Sequence, residues 1–98
     1  MGAEKKGFNK YKIVGGFIMN NYFISLVQNL CGYYVPAVAE DRSHVRQWAS
    51  KTLGRMWCSV YTQEELEKAG HFDSSKVIGQ LVSLTVEEGE LYENYYNR

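Results

Sequence analysis

Alternating apolar and polar residues predict two strands and a shorter third one in the first forty residues. Over 21–28, a strand places alternate apolar side chains on one face, whereas a helix gathers several of them into one stripe. We favour the strand, because β-branched and aromatic residues dominate there, and 29–32 then forms a hairpin loop. The partner strand spans 33–39, and Pro36, which has no amide hydrogen, places it at a sheet edge or turns outward at a bulge. A shorter strand is predicted over 10–14.

The next segment has the periodicity of an amphipathic helix. Apolar or half-polar residues at i, i+3, i+4, i+7 and i+8 are Val45, Trp48, Ala49, Thr52 and Leu53. Asp41 or Ser43 is available as the N-cap, and Gly54 as the C-cap. These features predict a helix over 42–53.

The second half of the chain begins with a strand predicted over 56–61. One face of this strand, directed towards the core, carries Met56, Cys58 and Val60. The opposite face carries Trp57, Ser59 and Tyr61, and we expect the two aromatic side chains there to be exposed. A capping box over 62–65 then starts a short helix that ends at Gly70. The longest strand is predicted over 77–86, with Gly79 marking a bulge.

The C-terminal tail is predicted as a helical turn. Four of its apolar side chains fall on one helical side: Leu91, Tyr92, Tyr95 and Tyr96. Without the short strand at 10–14, the predicted order is β-β-α-β-α-β. This order indicates an α+β fold, in which one amphipathic helix and one short helix pack on an antiparallel sheet of about four strands. Residues 10–98 form this single domain, and residues 1–9 form a flexible N-terminal arm.

Composition excludes several classes of protein. The 98 residues carry no net charge and are 45% apolar, which is wrong for a disordered tail or for a generic polyanion binder. No apolar run reaches the roughly 18 residues of a membrane span, and the N-terminus does not resemble a signal peptide. Two cysteines are too few for a secreted disulfide scaffold, so we expect a cytoplasmic protein.

The neutral total conceals an asymmetry between the two halves of the chain. Residues 1–55 hold eight Lys or Arg and three Asp or Glu (8 − 3 = +5), whereas residues 56–98 hold three and eight (3 − 8 = −5). If the fold separates the halves, the molecule is a dipole that can steer a charged partner or pair with itself. A homodimer through these halves, or through an edge strand, is one expected form of association.

Residues that carry chemistry show no catalytic or metal-binding pattern. Four side chains are potential zinc ligands, but none are paired at C-x2-C or H-x3-H spacing: Cys31, His44, Cys58 and His71. We therefore expect no metal and no cofactor. An enzyme using Cys58 or His44 remains a second alternative, although a Cys58 buried in the core would not be a reactive thiolate.

Basic and aromatic residues indicate binding instead. Four positive charges surround the predicted helix, and with two nearby aromatics they suggest contacts with nucleic acid as the first alternative. Eight tyrosines exceed what a small core needs, and Tyr, Trp and Arg are typical of protein interfaces. The candidate partner-binding residues are Arg42, Arg46, Lys51, Arg55, Trp57, Tyr61, Tyr92, Tyr95 and Tyr96.

These observations predict a small, non-enzymatic interaction module that binds a protein. In size and style, but through no motif, the chain resembles small accessory proteins of phages and mobile elements, including anti-CRISPR proteins. Those are compact α+β domains that inhibit by binding. The resemblance implies an inhibitor of a host or defence protein.

Overall fold

A computed structural model describes the backbone of residues 11–14 and 17–96 and the side chains of residues 19–96. The predicted N-terminal arm, residues 1–9, lies outside the described residues. Over the described ranges, each helix is too short or too polar to cross a membrane.

Six strands and two α-helices make up the described chain. The strands are β1 Tyr11–Val14, β2 Phe17–Leu26, β3 Tyr34–Ala39, β4 Trp57–Thr62, β5 Leu81–Glu87 and β6 Glu90–Tyr96. The helices are α1 Arg42–Thr52 and α2 Gln63–Lys68. The predicted α+β class is confirmed, with more strands than expected.

The strands form one mixed sheet, so the prediction of a purely antiparallel sheet is wrong. Its order is β1-β2-β3-β5-β6, and β4 pairs with β2 beyond the end of β1, along the same edge. The β3–β5 pair is parallel. The reason is the long connection through α1, β4 and α2, which returns the chain to the end of the sheet where β3 began.

The strand predicted over 21–28 is confirmed as β2, which has neighbouring strands on both of its sides. It begins earlier than predicted and pairs with β3 on one side and with β1 and β4 on the other. Tyr22, Phe23 and Ile24 are almost fully buried, because α1 covers one face of the sheet and α2 approaches the other. These faces are called the α1 face and the α2 face below.

Pro36 contradicts its prediction, since β3 is an interior strand and the proline is fully buried. It lies opposite Phe23 in the register with β2. On the β5 side, Tyr34 forms an isolated bridge with Val77, and the ladder resumes only at Ala37. The missing amide hydrogen therefore falls in a gap of the parallel ladder, where no strand needs it.

The helix predicted over 42–53 is confirmed as α1. The Asp41 side chain accepts hydrogen bonds from the backbone amides of Ser43 and His44, as an N-cap should. Gly54 follows the helix at φ +59°, a conformation that glycine adopts without strain. The buried stripe of α1 packs on the α1 face and consists of Val45, Trp48 and Ala49.

A β-bulge overturns the predicted faces of Trp57 and Cys58 in β4, whereas Val60 lies in the core as predicted. Ser59 lies opposite Ser25 and Trp57 opposite Leu26, so Cys58 is an extra residue without a cross-strand partner. The bulge reverses the alternation on its N-terminal side: Cys58 is exposed, and Trp57 packs with Val60 in the cluster on the α1 face.

The capping box that starts α2 is confirmed. Thr62 Oγ1 accepts a hydrogen bond from the Glu65 amide at 3.1 Å, and Glu65 Oε1 accepts one from the Thr62 amide at 2.9 Å. Leu66 then packs on the α2 face in a cluster with Phe23, where the Phe72 ring meets the Phe23 ring edge-on at 5.4 Å.

The C-terminal half differs most from the prediction. The segment 77–80 is not part of the strand, which starts at Leu81, and the tail is β6 and not a helical turn. Glu88 and Gly89 join the two strands at φ +53° and +81°, as in a type I′ hairpin turn. All seven residues of β6 pair in register with β5.

Candidate interaction surface

The basic residues of α1 divide into paired and unpaired ones. An Arg42 guanidinium nitrogen lies 3.0 Å from Glu65 Oε2, and the guanidinium carbon lies 5.8 Å from the centroid of the Tyr22 ring. Lys51 Nζ lies 3.5 Å from Glu93 Oε2. Both carboxylates come from the acidic half of the sequence, so the fold interleaves the two halves here and these charges compensate each other.

Two basic residues near α1 stay available to an outside partner. Arg46 on α1 and Arg55 in the turn after it are exposed, and neither has an ion pair among the side chains of residues 19–96. A nucleic-acid-binding protein usually contacts many phosphates through Lys and Arg, and these two arginines could supply only a few such contacts.

Trp57 and Tyr61 are not surface aromatics, which contradicts their predicted exposure. Trp57 is half-buried against the cluster on the α1 face, and Tyr61 is half-buried against the cluster on the α2 face. Each ring covers the sheet where β4 pairs with β2, so both residues stabilise the fold and present little area to a partner.

The exposed aromatic surface lies on β6. Tyr92, Tyr95 and Tyr96 expose 46%, 48% and 47% of their area. Because Tyr95 pairs with Val82, it lies on the α1 face, whereas Tyr92 and Tyr96 lie with Asn94 on the opposite face. The three exposed tyrosines therefore lie on both faces of β6.

β6 is also an open edge of the sheet, since β5 is its single partner among the described strands. In a two-residue type I′ hairpin, the residues that flank the turn, Glu87 and Glu90, form a hydrogen-bonded pair, and such pairs then alternate. Leu91, Glu93 and Tyr95 hold the intervening positions, so their backbone N–H and C=O groups are directed away from β5. This outer edge can accept another strand.

A hydrogen-bond network fixes the α1 side of β6. The Trp48 indole N–H donates to Tyr95 Oη at 3.3 Å, and the Tyr95 hydroxyl donates to Glu93 Oε1 at 2.7 Å. The Tyr95 hydroxyl is the main cause that lowers the pKa of Glu93, and the Glu93 carboxylate raises the pKa of Tyr95. With the Lys51 pair, the network joins the edge strand to α1 and limits the motion of Tyr95.

Carboxylates surround the turn end of the edge. Glu87, Glu88 and Glu90 are exposed, and Glu87 faces Glu90 across the hairpin. Tyr92 Oη donates to Glu90 Oε1 at 3.2 Å. The edge thus offers aromatic rings and negative charge together.

The cysteines and histidines do not assemble into a site. Cys31 and Cys58 are free and exposed, and Cys58 Sγ lies 3.9 Å from Ser59 Oγ. His44 Nε2 lies 3.7 Å from Asp41 Oδ2, at the end of α1 opposite to Cys58. Among the residues that the structure describes, no three His, Cys, Asp or Glu side chains are grouped as a metal site would require.

One shallow concavity lies at the turn end of the sheet. It has an empty volume of about 170 Å³ and is lined by Met19, Glu40, Leu84, Thr85 and Val86. Much of that volume is open to solvent, and the concavity encloses no space for a small molecule. This concavity does not suggest a substrate site.

Sequence patterns placed the C-terminal tyrosines in the candidate surface but missed the strand that carries them. The signal was present: Glu88-Gly89 stands between two alternating stretches, which is a hairpin pattern. The open edge left no local signal, because strand order depends on contacts between distant segments.

Comparison of the chain with protein-family models, curated proteins and solved structures found no match.

Proposed function

We propose that the protein is a protein-binding module that contacts its partner through the outer edge of β6 and the three tyrosines on it. The observation that carries this proposal is the distribution of exposed apolar area. Of the four large hydrophobic side chains exposed in the described part of the chain, three are Tyr92, Tyr95 and Tyr96 on this edge strand. Tyrosine is enriched at interfaces because it supplies a large contact area at little cost in side-chain entropy.

The mode of binding that fits this edge is strand addition. The outward N–H and C=O groups of Leu91, Glu93 and Tyr95 supply backbone hydrogen bonds, and the tyrosine rings supply contacts on both faces. Since Glu90 and Glu93 are the charged residues of β6, a complementary strand does not place a carboxylate directly opposite either of them.

This function needs no catalytic group, and we propose no enzymatic activity. Inhibition of a host or defence protein, which the resemblance to phage accessory proteins implies, stays a prediction. Strand addition would serve an inhibitor or an adaptor equally well.

A photo-crosslinker at the edge tests the proposal. Cys31→Ser and Cys58→Ser remove the native thiols, and Asn94→Cys then takes a benzophenone maleimide beside the tyrosines. After irradiation in lysate of the source cells, we expect a discrete covalent adduct with another protein, and we expect Tyr92→Ala with Tyr96→Ala to abolish it.

The matched control carries the same probe on the outer side of α1, as Ser50→Cys in the same background. Adducts that arise equally from both positions, or that persist without the two tyrosines, would refute binding at the β6 edge.

Nucleic-acid binding is the competing proposal, and it rests on Arg46 and Arg55. Arg42 and Lys51 are already paired with carboxylates, so the informative variant is Arg46→Ala with Arg55→Ala. If this function holds, binding to single-stranded RNA or DNA weakens steeply with salt and is lost in the variant. Fluorescence anisotropy with labelled oligonucleotides measures both effects.

A further inference from the structure

The side chains of β6 are arranged so that the strand is complementary to itself. On the α2 face the order is Tyr92, Asn94, Tyr96, which reads the same in both directions about Asn94. On the α1 face, Glu93 and Tyr95 lie on either side of the same centre, and within each copy the Tyr95 hydroxyl donates to Glu93, so the axis would bring a carboxylate opposite a neutral hydroxyl and not opposite another carboxylate. A two-fold axis at Asn94 would therefore bring each side chain opposite a chemically suitable one.

We propose that two copies of this chain pair through their β6 edges, antiparallel, with Asn94 on the two-fold axis. This proposal rests on the proposed function, because it names an occupant of the same edge. Tyr92 then lies opposite Tyr96 of the second copy, and Glu93 opposite Tyr95 of the second copy. The two sheets become one continuous sheet, with an interface that uses the same surface on both subunits.

The backbone geometry supports this register. Leu91, Glu93 and Tyr95 direct their hydrogen-bonding groups outward, so residues that form hydrogen-bonded pairs with the second copy must be odd-numbered. In the Asn94-centred register, Glu93 of each copy forms a hydrogen-bonded pair with Tyr95 of the other copy, which gives two such pairs. Asn94 and the two tyrosines of the α2 face hold the closer, non-hydrogen-bonded positions, where rings contact best.

Neighbouring registers are less favourable. Centring the pair on Glu93 places two carboxylates directly opposite each other, which is destabilising. Centring it on Tyr92 brings Glu93 opposite Leu91, whose apolar side chain packs against the core and offers no donor. The Asn94 register avoids both, and in it the acidic turn of one copy stays away from that of the other.

The first experiment asks whether purified protein associates. A pairing of five residues a side is small for an interface, so we expect a dimer that forms at micromolar or higher concentration. In sedimentation equilibrium, the weight-average mass should rise towards twice the chain mass as concentration increases. Asn94→Lys should shift this rise to at least tenfold higher concentration, because it places two ammonium groups together at the axis.

Two controls accompany that variant. Ser50→Lys adds the same charge on the exposed side of α1 and should leave association unchanged. Circular dichroism should show that Asn94→Lys keeps the fold, since Asn94 is exposed. A wild-type chain that stays monomeric at millimolar concentration, or an equal effect of both lysines, would overturn the proposal.

The second experiment tests the register by disulfide formation. In the Cys31→Ser, Cys58→Ser background, Asn94→Cys places two thiols at a non-hydrogen-bonded pair, with Cα atoms about 4.5 Å apart, within the range of a disulfide. Oxidised protein should run as a covalent dimer. Tyr92→Cys alone should not cross-link, because its two copies lie about 13 Å apart along the strands.

Mixing Tyr92→Cys with Tyr96→Cys should restore the cross-link, since those residues oppose each other. Cross-linking of Tyr92→Cys alone, or none with Asn94→Cys, would overturn the register. All these measurements use purified chain. If the purified chain does not dimerise, the edge can still bind a different protein. If no other protein is captured in lysate, the evidence for the dimer is unchanged.

Discussion

Removing the Tyr95 hydroxyl should destabilise the protein much more than its exposure suggests. In Tyr95→Phe, the indole N–H of Trp48 loses the oxygen 3.3 Å away, and Glu93 loses a donor at 2.7 Å. Trp48 is only 3% exposed, and a buried donor without its acceptor costs about 1 to 3 kcal/mol. The Glu93 carboxylate also interacts with the indole N–H and can take over part of that bond. We therefore expect a loss of about 1 to 2 kcal/mol in the free energy of unfolding.

Thermal unfolding followed by circular dichroism measures this loss. For a domain of this size, 1 kcal/mol corresponds to roughly 4 to 8 °C, so Tm should fall by about 4 to 16 °C. Tyr92→Phe is the matched control: it removes the same atom from the same strand, but its bond to Glu90 is between exposed groups. That variant should lose less than about 0.5 kcal/mol.

A second measurement separates the network from a general effect on β6. Because the Tyr95 hydroxyl is the largest cause of the lowered pKa of Glu93, this pKa should rise in Tyr95→Phe, as an NMR titration of the carboxyl group would show. Equal Tm losses in the two Phe variants, with an unchanged Glu93 pKa, would refute the argument.

Three further predictions concern the rest of the fold. Thr62→Ala removes the N-cap of α2 and should cost about 1 kcal/mol in urea unfolding, whereas Thr52→Ala at the exposed end of α1 should cost almost nothing. Glu88→Asn should raise Tm, by an amount that corresponds to about 0.5 kcal/mol, because asparagine tolerates the positive φ of the turn better than glutamate. The pKa values of Glu65 and Glu93 are lowered in the folded state, so the unfolded chain binds more protons in acid. Stability should be complete above the ordinary Glu value of 4.5 and fall as pH drops below it, and Glu65→Gln should reduce that slope.

Local signals were sufficient wherever the deciding contacts lie within a few residues. The Asp41 cap, the buried stripe of α1 and the capping box at Thr62 are all visible in short stretches of sequence, and the structure confirms them. A helix cap is decided by neighbouring atoms, so distant residues seldom overturn it.

Patterns failed where one spacing suits two structures. Tyr92, Tyr95 and Tyr96 fit one side of a helix, yet they form a strand because Glu88-Gly89 makes a hairpin turn and β5 offers a partner. The bulge at Cys58 likewise overturned the predicted faces of Trp57 and Cys58. In both cases pairing with another strand outweighed the local periodicity.

The candidate surface shows the same division. The sequence named the three C-terminal tyrosines, but it grouped them with basic residues that the fold uses elsewhere. Arg42 pairs with Glu65 and Lys51 with Glu93, partners 23 and 42 residues away along the chain. No pattern within one segment predicts such pairs.

The sequence by itself determined the α+β class, both helices with their caps and most strand positions, because periodicity and capping act over a few residues. Only the tertiary structure decided that β3 is interior, that β3 and β5 are parallel and that β6 has β5 as its single partner among the described strands. Strand order follows from contacts between segments far apart in the chain. Those contacts pair basic side chains with acidic ones from distant segments and place the three C-terminal tyrosines on the edge strand.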